Sequence, residues 1–283
     1  MSQKMLSILQ IYNIETNERT VIETFDSHIE APNWSADGAF LYYNSAGAIY
    51  RFDLATKQSE KIDTGVCVRC NNDHVLSPDG KSIAVSSGTE DVAQSRIWII
   101  PLTGGEARLI TPNMPSYLHG WSPDGTTLAY CAARDGEYDV YTINVQGGAE
   151  TRLTDAPGLD DGPEYSPDGN KIWFNSVRSG LMQAFCMNQD GTEQTQMTFD
   201  EDLNSWFPHI SPDNQKVVFV AYHKGDVAPG DHPANKNVVV RLMNSDGSGL
   251  HTLFDAFGGQ GTMNVNSWAP DSKRFAFVTY QFV

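Results

Sequence analysis

Apolar and polar positions alternate over short runs along this chain, and each run stops at a cluster of Gly, Pro, Asp or Asn. "KSIAVSS" (81–87), "RIWIIPL" (96–102), "DVYTINV" (139–145) and "KIWFNSV" (171–177) are runs of this kind. They are rich in the β-branched and aromatic residues that suit a pleated, half-buried surface. No long stretch carries the helical spacing of apolar residues. The pattern therefore predicts strands, in a recurring order. A polar turn is followed by a strand, a loop and a second strand. A Gly-rich turn follows, such as Gly104-Gly105, Gly147-Gly148 or Asp190-Gly191. A third strand comes next, "EARLIT" (106–111) or "ETRLT" (150–154), and a last short strand leads into the next polar turn.

The polar turn is nearly the same phrase six times. It is Ser-Pro-Asp-Gly at 77–80, 122–125 and 166–169, Ser-Ala-Asp-Gly at 35–38, Ser-Pro-Asp-Asn at 211–214 and Ala-Pro-Asp-Ser at 269–272. Its aspartates recur every 42–45 residues, except for the last step of 58. A period near 40–45 with four strands per unit predicts a β-propeller blade. The chemistry of the phrase is that of a tight turn. Pro presets φ, Asp accepts from nearby backbone N–H groups, and Gly takes positive φ. Asn214 tolerates that conformation, and Ser272 should be mildly strained in it. A bulky residue (Trp34, Leu76, Trp121, Tyr165, Ile210 or Trp268) precedes each copy and suits packing between blades. These aspartates are thus expected to be structural, not catalytic.

The ends of the chain bear on closure. One strand, "KRFAFVTYQFV", follows the sixth turn, while "LSILQIYNI" (6–14) and "RTVIET" (19–24) precede the first turn with nothing ahead of them. The expected fold is all-β: a single domain, 1–283, forming a six-bladed propeller of four-stranded blades. The N-terminal strands complete the last blade, which removes sheet edges that would otherwise invite aggregation.

Composition narrows the partners. Lys plus Arg number 19 against 35 Asp plus Glu, a net charge of −16. That balance disfavours nucleic acid, whose affinity rests on cations at phosphates, and an anionic membrane surface. No run approaches a membrane span, so no membrane insertion is expected. The N-terminal residues do not read as a signal peptide. The expected location is the cytoplasm, or the periplasm if the chain has been trimmed. Cys67 and Cys70 form a C-x-x-C without the second pair a structural zinc site needs. They are expected as reduced, half-buried thiols.

Trp/Tyr-Ser-Pro-Asp-Gly at this spacing, with "RLT" strands, resembles the repeat of the TolB propeller, which also occurs in dipeptidyl-peptidase and tricorn propellers. The resemblance covers nearly the whole chain and implies the fold. This chain lacks the N-terminal α/β domain of periplasmic TolB and the G-x-S-x-G elbow of the peptidases. The resemblance implies a free-standing propeller.

In such blades the innermost strand runs along the central channel, and the Ser-Pro-Asp-Gly turns lie on one face. The other face, the channel mouth, then receives the polar starts of the innermost strands. These are His28 and Glu30; Arg69, Asn72, Asp73 and His74; Tyr117 and His119; Asp160 and Asp161; Asn204, Trp206 and His209; and Asn264 and Asn266. The 58-residue step marks an insertion, 223–236, with His223, Asp226, Asp231 and His232. It should meet the Gly-rich 255–268 segment on the same rim, and long insertions on regular scaffolds concentrate function. Carboxylates converging at the mouth should repel. At least one should hold its proton above the usual value of about 4 unless a cation intervenes. Arg69, a protonated histidine, a metal or a partner's amino group are the candidates.

Two functions fit these residues. One is a recognition or scaffold module taking a peptide, a protein or a small polar ligand such as a sugar at the mouth. The alternative is a metal-assisted, lyase-like enzyme or sugar-binding propeller, since oligogalacturonate lyase resembles this repeat class and holds metal through histidine. In that alternative a divalent metal would draw ligands from His74, His119, His209, His223 or His232, with Asp160 or Asp161 as base.

Overall fold

The computed structural model describes residues 4–283. Its strands form six antiparallel sheets arranged as a ring of blades. Blade 1 runs Glu30–Trp34, Phe40–Ser45, Ala48–Asp53, Ser59–Lys61 from the axis outward. Blade 2 is Arg69–Leu76, Ser82–Gly88, Arg96–Pro101, Arg108–Leu109, and blade 3 is Ser116–Trp121, Thr127–Arg134, Glu137–Asn144, Thr151–Arg152. Blade 4 is Asp160–Tyr165, Lys171–Ser176, Gln183–Asn188, Thr195–Gln196. Blade 5 is Leu203–Ile210, Lys216–His223, Ala234–Asn244, His251–Gly259.

Both ends of the chain build blade 6. Arg274–Phe282 pairs antiparallel with Met5–Asn13 along its whole length, from Met5 opposite Phe282 to Asn13 opposite Arg274. Glu18–Phe25 is the outermost strand. The shared blade is present as the termini imply. Its innermost strand, however, is reduced to one bridge between Trp268 and Phe275. Just before it the chain turns through a 3-10 helix, Gln260–Thr262.

Apolar side chains fill the seams between blades. Trp206, Val220, Tyr222, Phe275 and Phe277 join blades 5 and 6, and Ile97, Leu118, Leu128 and Tyr130 join blades 2 and 3. Each such side chain contributes about 1.5–3 kcal/mol on burial.

The repeated turns do what their chemistry requires. In the five copies that begin with Ser, its hydroxyl donates to the turn's Asp at 2.6–2.7 Å. Asn214 and Ser272 occupy the positive-φ position at 62° and 59°. The sixth copy lacks the Ser, and Asp271 instead takes Arg274 Nε at 2.7 Å.

The four cysteines are free thiols. Burial pushes Cys67 up to about 12 and Cys70 to about 11. Among the described residues no helix is long and apolar enough to cross a membrane.

Candidate functional site

The innermost strands do not keep a regular ladder. Register breaks between Cys70 and His74 in blade 2, Leu118 and Gly120 in blade 3, Asp161 and Glu164 in blade 4, and Trp206 and His209 in blade 5. A bulge leaves its extra residues unpaired and re-aims their side chains. Asp73 and His119 lie inside such breaks, and Asp161 borders one. Strict alternation would not bring all three to one place.

They line a cavity of about 500 Å³ at the channel mouth. Tyr117, Tyr138 and Leu159 form part of its wall, and Asn71, Gln260 and Asn264 add polar groups. The blade-5 insertion supplies the roof with Ala228, Gly230, Asp231 and His232. The insertion is tied to the Gly-rich segment. Ala234 pairs with Gly259, and Tyr222 Oη donates to Pro233 O at 2.9 Å. Gly259 sits at φ +91°, and a Cβ there would run into Pro233 O. Only glycine permits this approach.

The centre of the site is an ion cluster. His119 Nε2 lies 3.2 Å from Asp161 Oδ1 and 4.0 Å from Asp73 Oδ1. Gly162 N donates to Asp161 Oδ1 at 2.7 Å, and Asn264 Nδ2 donates to Asp73 Oδ1 at 2.7 Å. Asn71 Nδ2 donates to Asp73 Oδ2 at 2.6 Å.

The protonation of the cluster follows from these contacts. Burial pushes Asp73 up, and the His119 charge and the Asn71 amide do not offset it. Burial also acts on Asp161, but the hydrogen bond and charge of His119 prevail and hold its carboxyl below the usual range. Burial opposes protonation of His119, yet Asp161 and Asp73 raise it above its ordinary value. His232 is lowered by burial, Asp161 notwithstanding. Asp73 is thus shifted up mainly by burial, with the nearby Asp161 charge a smaller contribution, while His119 is the group that faces both carboxylates.

Strained backbone supports the imidazole. Phe207 adopts φ +57°, an unusual conformation for a bulky residue, which a stabilising context must maintain. Asn175 Oδ1 accepts from Phe207 N at 3.1 Å. The Phe207 ring stacks on His119 at 5.7 Å between centroids, and Trp206 lies 4.2 Å from the His232 ring.

The remaining candidates lie elsewhere. Asp160 turns away from the cavity and accepts from Arg178 Nη2 at 2.7 Å. His74 is fully buried with neither ring nitrogen partnered, and burial pushes it down to about 3. Deeper in the channel, His209 Nδ1 meets Glu164 Oε2 at 2.6 Å, and Asn266 Nδ2 donates to Glu164 Oε1 at 2.6 Å. Asn204 Oδ1 accepts from Met182 N. Arg69 is exposed and donates to Thr89 O. Glu30 accepts from Asn44 Nδ2 and lies 3.8 Å from His28 Nε2. His223 is exposed beside Asp255 and Phe257. Of the histidines considered as metal ligands, His119 and His232 share the cavity, while His74, His209 and His223 lie outside it. Among the described residues no three His, Cys, Asp or Glu side chains are grouped as a metal ion requires. Reading the sequence missed Glu164, Phe207, Asn175 and Gln260. Only Pro163 and Pro208, which cannot donate to a ladder, marked the irregular strands.

Comparison with known proteins agrees with this architecture. A model of the TolB beta propeller domain matches residues 113–281. The uncharacterized protein Atu1656 of Agrobacterium fabrum is 49% identical over 277 residues, spanning 98% of this chain and 93% of that protein. A solved structure of a presumed TolB from Agrobacterium tumefaciens superposes with a TM-score of 0.93 at 48% identity, covering 99% of each chain. The Tol-Pal system protein TolB of Francisella tularensis is 26% identical over 133 residues, which is 46% of this chain and 30% of that protein. The chain belongs to the TolB-like β-propeller family.

Proposed function

We propose that this propeller is a non-catalytic recognition module whose mouth cavity receives part of a peptide or protein partner. The observation that carries this reading is the roofed cavity itself. It has the volume of a small-ligand site, and the polar side chains of His119 and Asn264 in its lining keep atoms without partners. Such buried groups cost free energy until something satisfies them. Kinship with a Tol-Pal system protein adds weight to a protein partner. Four free thiols suit a reducing compartment, and we assign the protein to the cytoplasm, which fractionation of the native cells would check.

The test is selection of binders from a random peptide library, followed by hydrogen exchange of the complex. Protection is expected in 228–232 and 260–264. The reading fails if no peptide protects these segments. A thermal shift with oligogalacturonide plus a divalent metal, and not with peptides, would favour the carbohydrate reading instead.

A further inference from the structure

Resting on the recognition reading, we propose that the mouth cavity is specific for a primary ammonium group. The hydrogen-bond inventory points there. Asn264 has committed its amide N–H groups to Asp73 Oδ1 and to Asn72 O. Its Oδ1 is left fully buried with no donor. The carboxylates Asp73 and Asp161 share the His119 imidazole, and burial pushes the other imidazole near Asp161, His232, toward its neutral form. The cavity therefore holds more acceptors and more negative charge than its own donors offset.

Different ligands answer this imbalance differently. A neutral polyol would supply donors but leave the charge unbalanced. A compact ammonium brings three N–H donors and one positive charge, and its hydrogen bonds to carboxylates are of the stronger, charge-assisted kind. The Tyr117 and Tyr138 rings, 6.3 Å apart in the wall, add faces that favour a cation. A second mismatch has the opposite sign. With Nε2 of His119 turned to Asp161, its buried Nδ1 is without a partner. On a protonated ring that nitrogen is a donor in need of an acceptor. A carbonyl next to the amine would meet it, as the first carbonyl of a peptide does. The ammonium could come from a peptide's α-amine or from a lysine side chain, and only the first keeps that carbonyl close to the charge.

The experiment is calorimetric titration of the full chain with three probes: Ala-Ala-Ala-amide, its N-acetylated form and N-acetyl-lysine amide. Binding of at least one amine probe is expected, with about tenfold or greater weakening when the α-amine is acetylated. If N-acetyl-lysine amide binds instead, the ammonium is confirmed and its source is the side chain. Asp73→Asn should weaken the amine probe by about tenfold while melting no lower than wild type. Equal affinity for the free and acetylated tripeptides would overturn the ammonium and leave peptide recognition standing. No binding of either amine at millimolar concentration would also overturn it, and the peptide selection would then decide the recognition reading separately.

Discussion

His119 and Asp161 are each other's nearest opposite charge and both are largely buried, so removing one strands the other. Asp161→Asn should cost about 3 kcal/mol of stability, measured by denaturant unfolding. The cost depends on pH in a defined sense. Asp161 is held below its usual value of 3.8, so its contribution is present above that pH and fades as pH falls through the lowered pKa. His119 is raised above 6.5, so its contribution is full below that pH and is lost as pH rises through the raised pKa. The gap between wild type and Asp161→Asn should be widest between these limits and narrow on either side. His74 offers a second test. Its folded pKa is pushed from 6.5 down to about 3, so wild type should lose stability steadily as acid is added across that interval. His74→Leu should flatten this slope. An unchanged slope would mean that His74 takes up its proton as readily in the folded chain as in the unfolded one.

At the scale of elements, the insertion and the bulged strands govern the site. Replacing 224–235 by a short Gly-Ser turn would uncover Trp206 and remove the acceptor of Tyr222 Oη. A loss of roughly 2–3 kcal/mol is expected, together with loss of ligand binding. Trimming only 225–230 should spare stability, since His232 and Pro233 remain, and a calorimetric scan would separate the two variants. Phe207→Gly would relieve about 1–3 kcal/mol of backbone strain but remove a buried ring worth about 3–5, so the net should be destabilising.

This scale also explains what could be read from the sequence. The blades were legible because six turns repeat one chemistry at one period. The insertion was legible because it breaks that period. The exact cavity was not, because it depends on register slips in the innermost strands. A slip moves a side chain across the strand without changing the residue types. Asp160 and Asp161 are adjacent in the sequence with the same chemistry, yet one serves Arg178 and the other the cavity.

For the whole molecule, closure is the decisive event. Within blade 6, Met5–Asn13 links Arg274–Phe282 to the outermost strand, Glu18–Phe25. Deleting 5–25 would leave Arg274–Phe282 without its partner and open the ring beside the Trp206–Phe277 seam. Insoluble or molten protein is expected. A soluble deletion that unfolds with undiminished cooperativity would show that five blades and one strand suffice.

The pairing of Ile8 with Thr279 also sets a timetable for the ribosome. The first strand of the propeller to be synthesised pairs inside the sheet with its last one. At about 5–20 residues per second it waits roughly 15–60 s for that partner. Five blades can collapse in turn as they appear, each from its own neighbouring strands. The sixth cannot, and during that interval both edges of an unfinished ring are presented to every other nascent chain nearby. The feature that protects the finished propeller from edge-to-edge association therefore makes it most vulnerable just before its last strand is free.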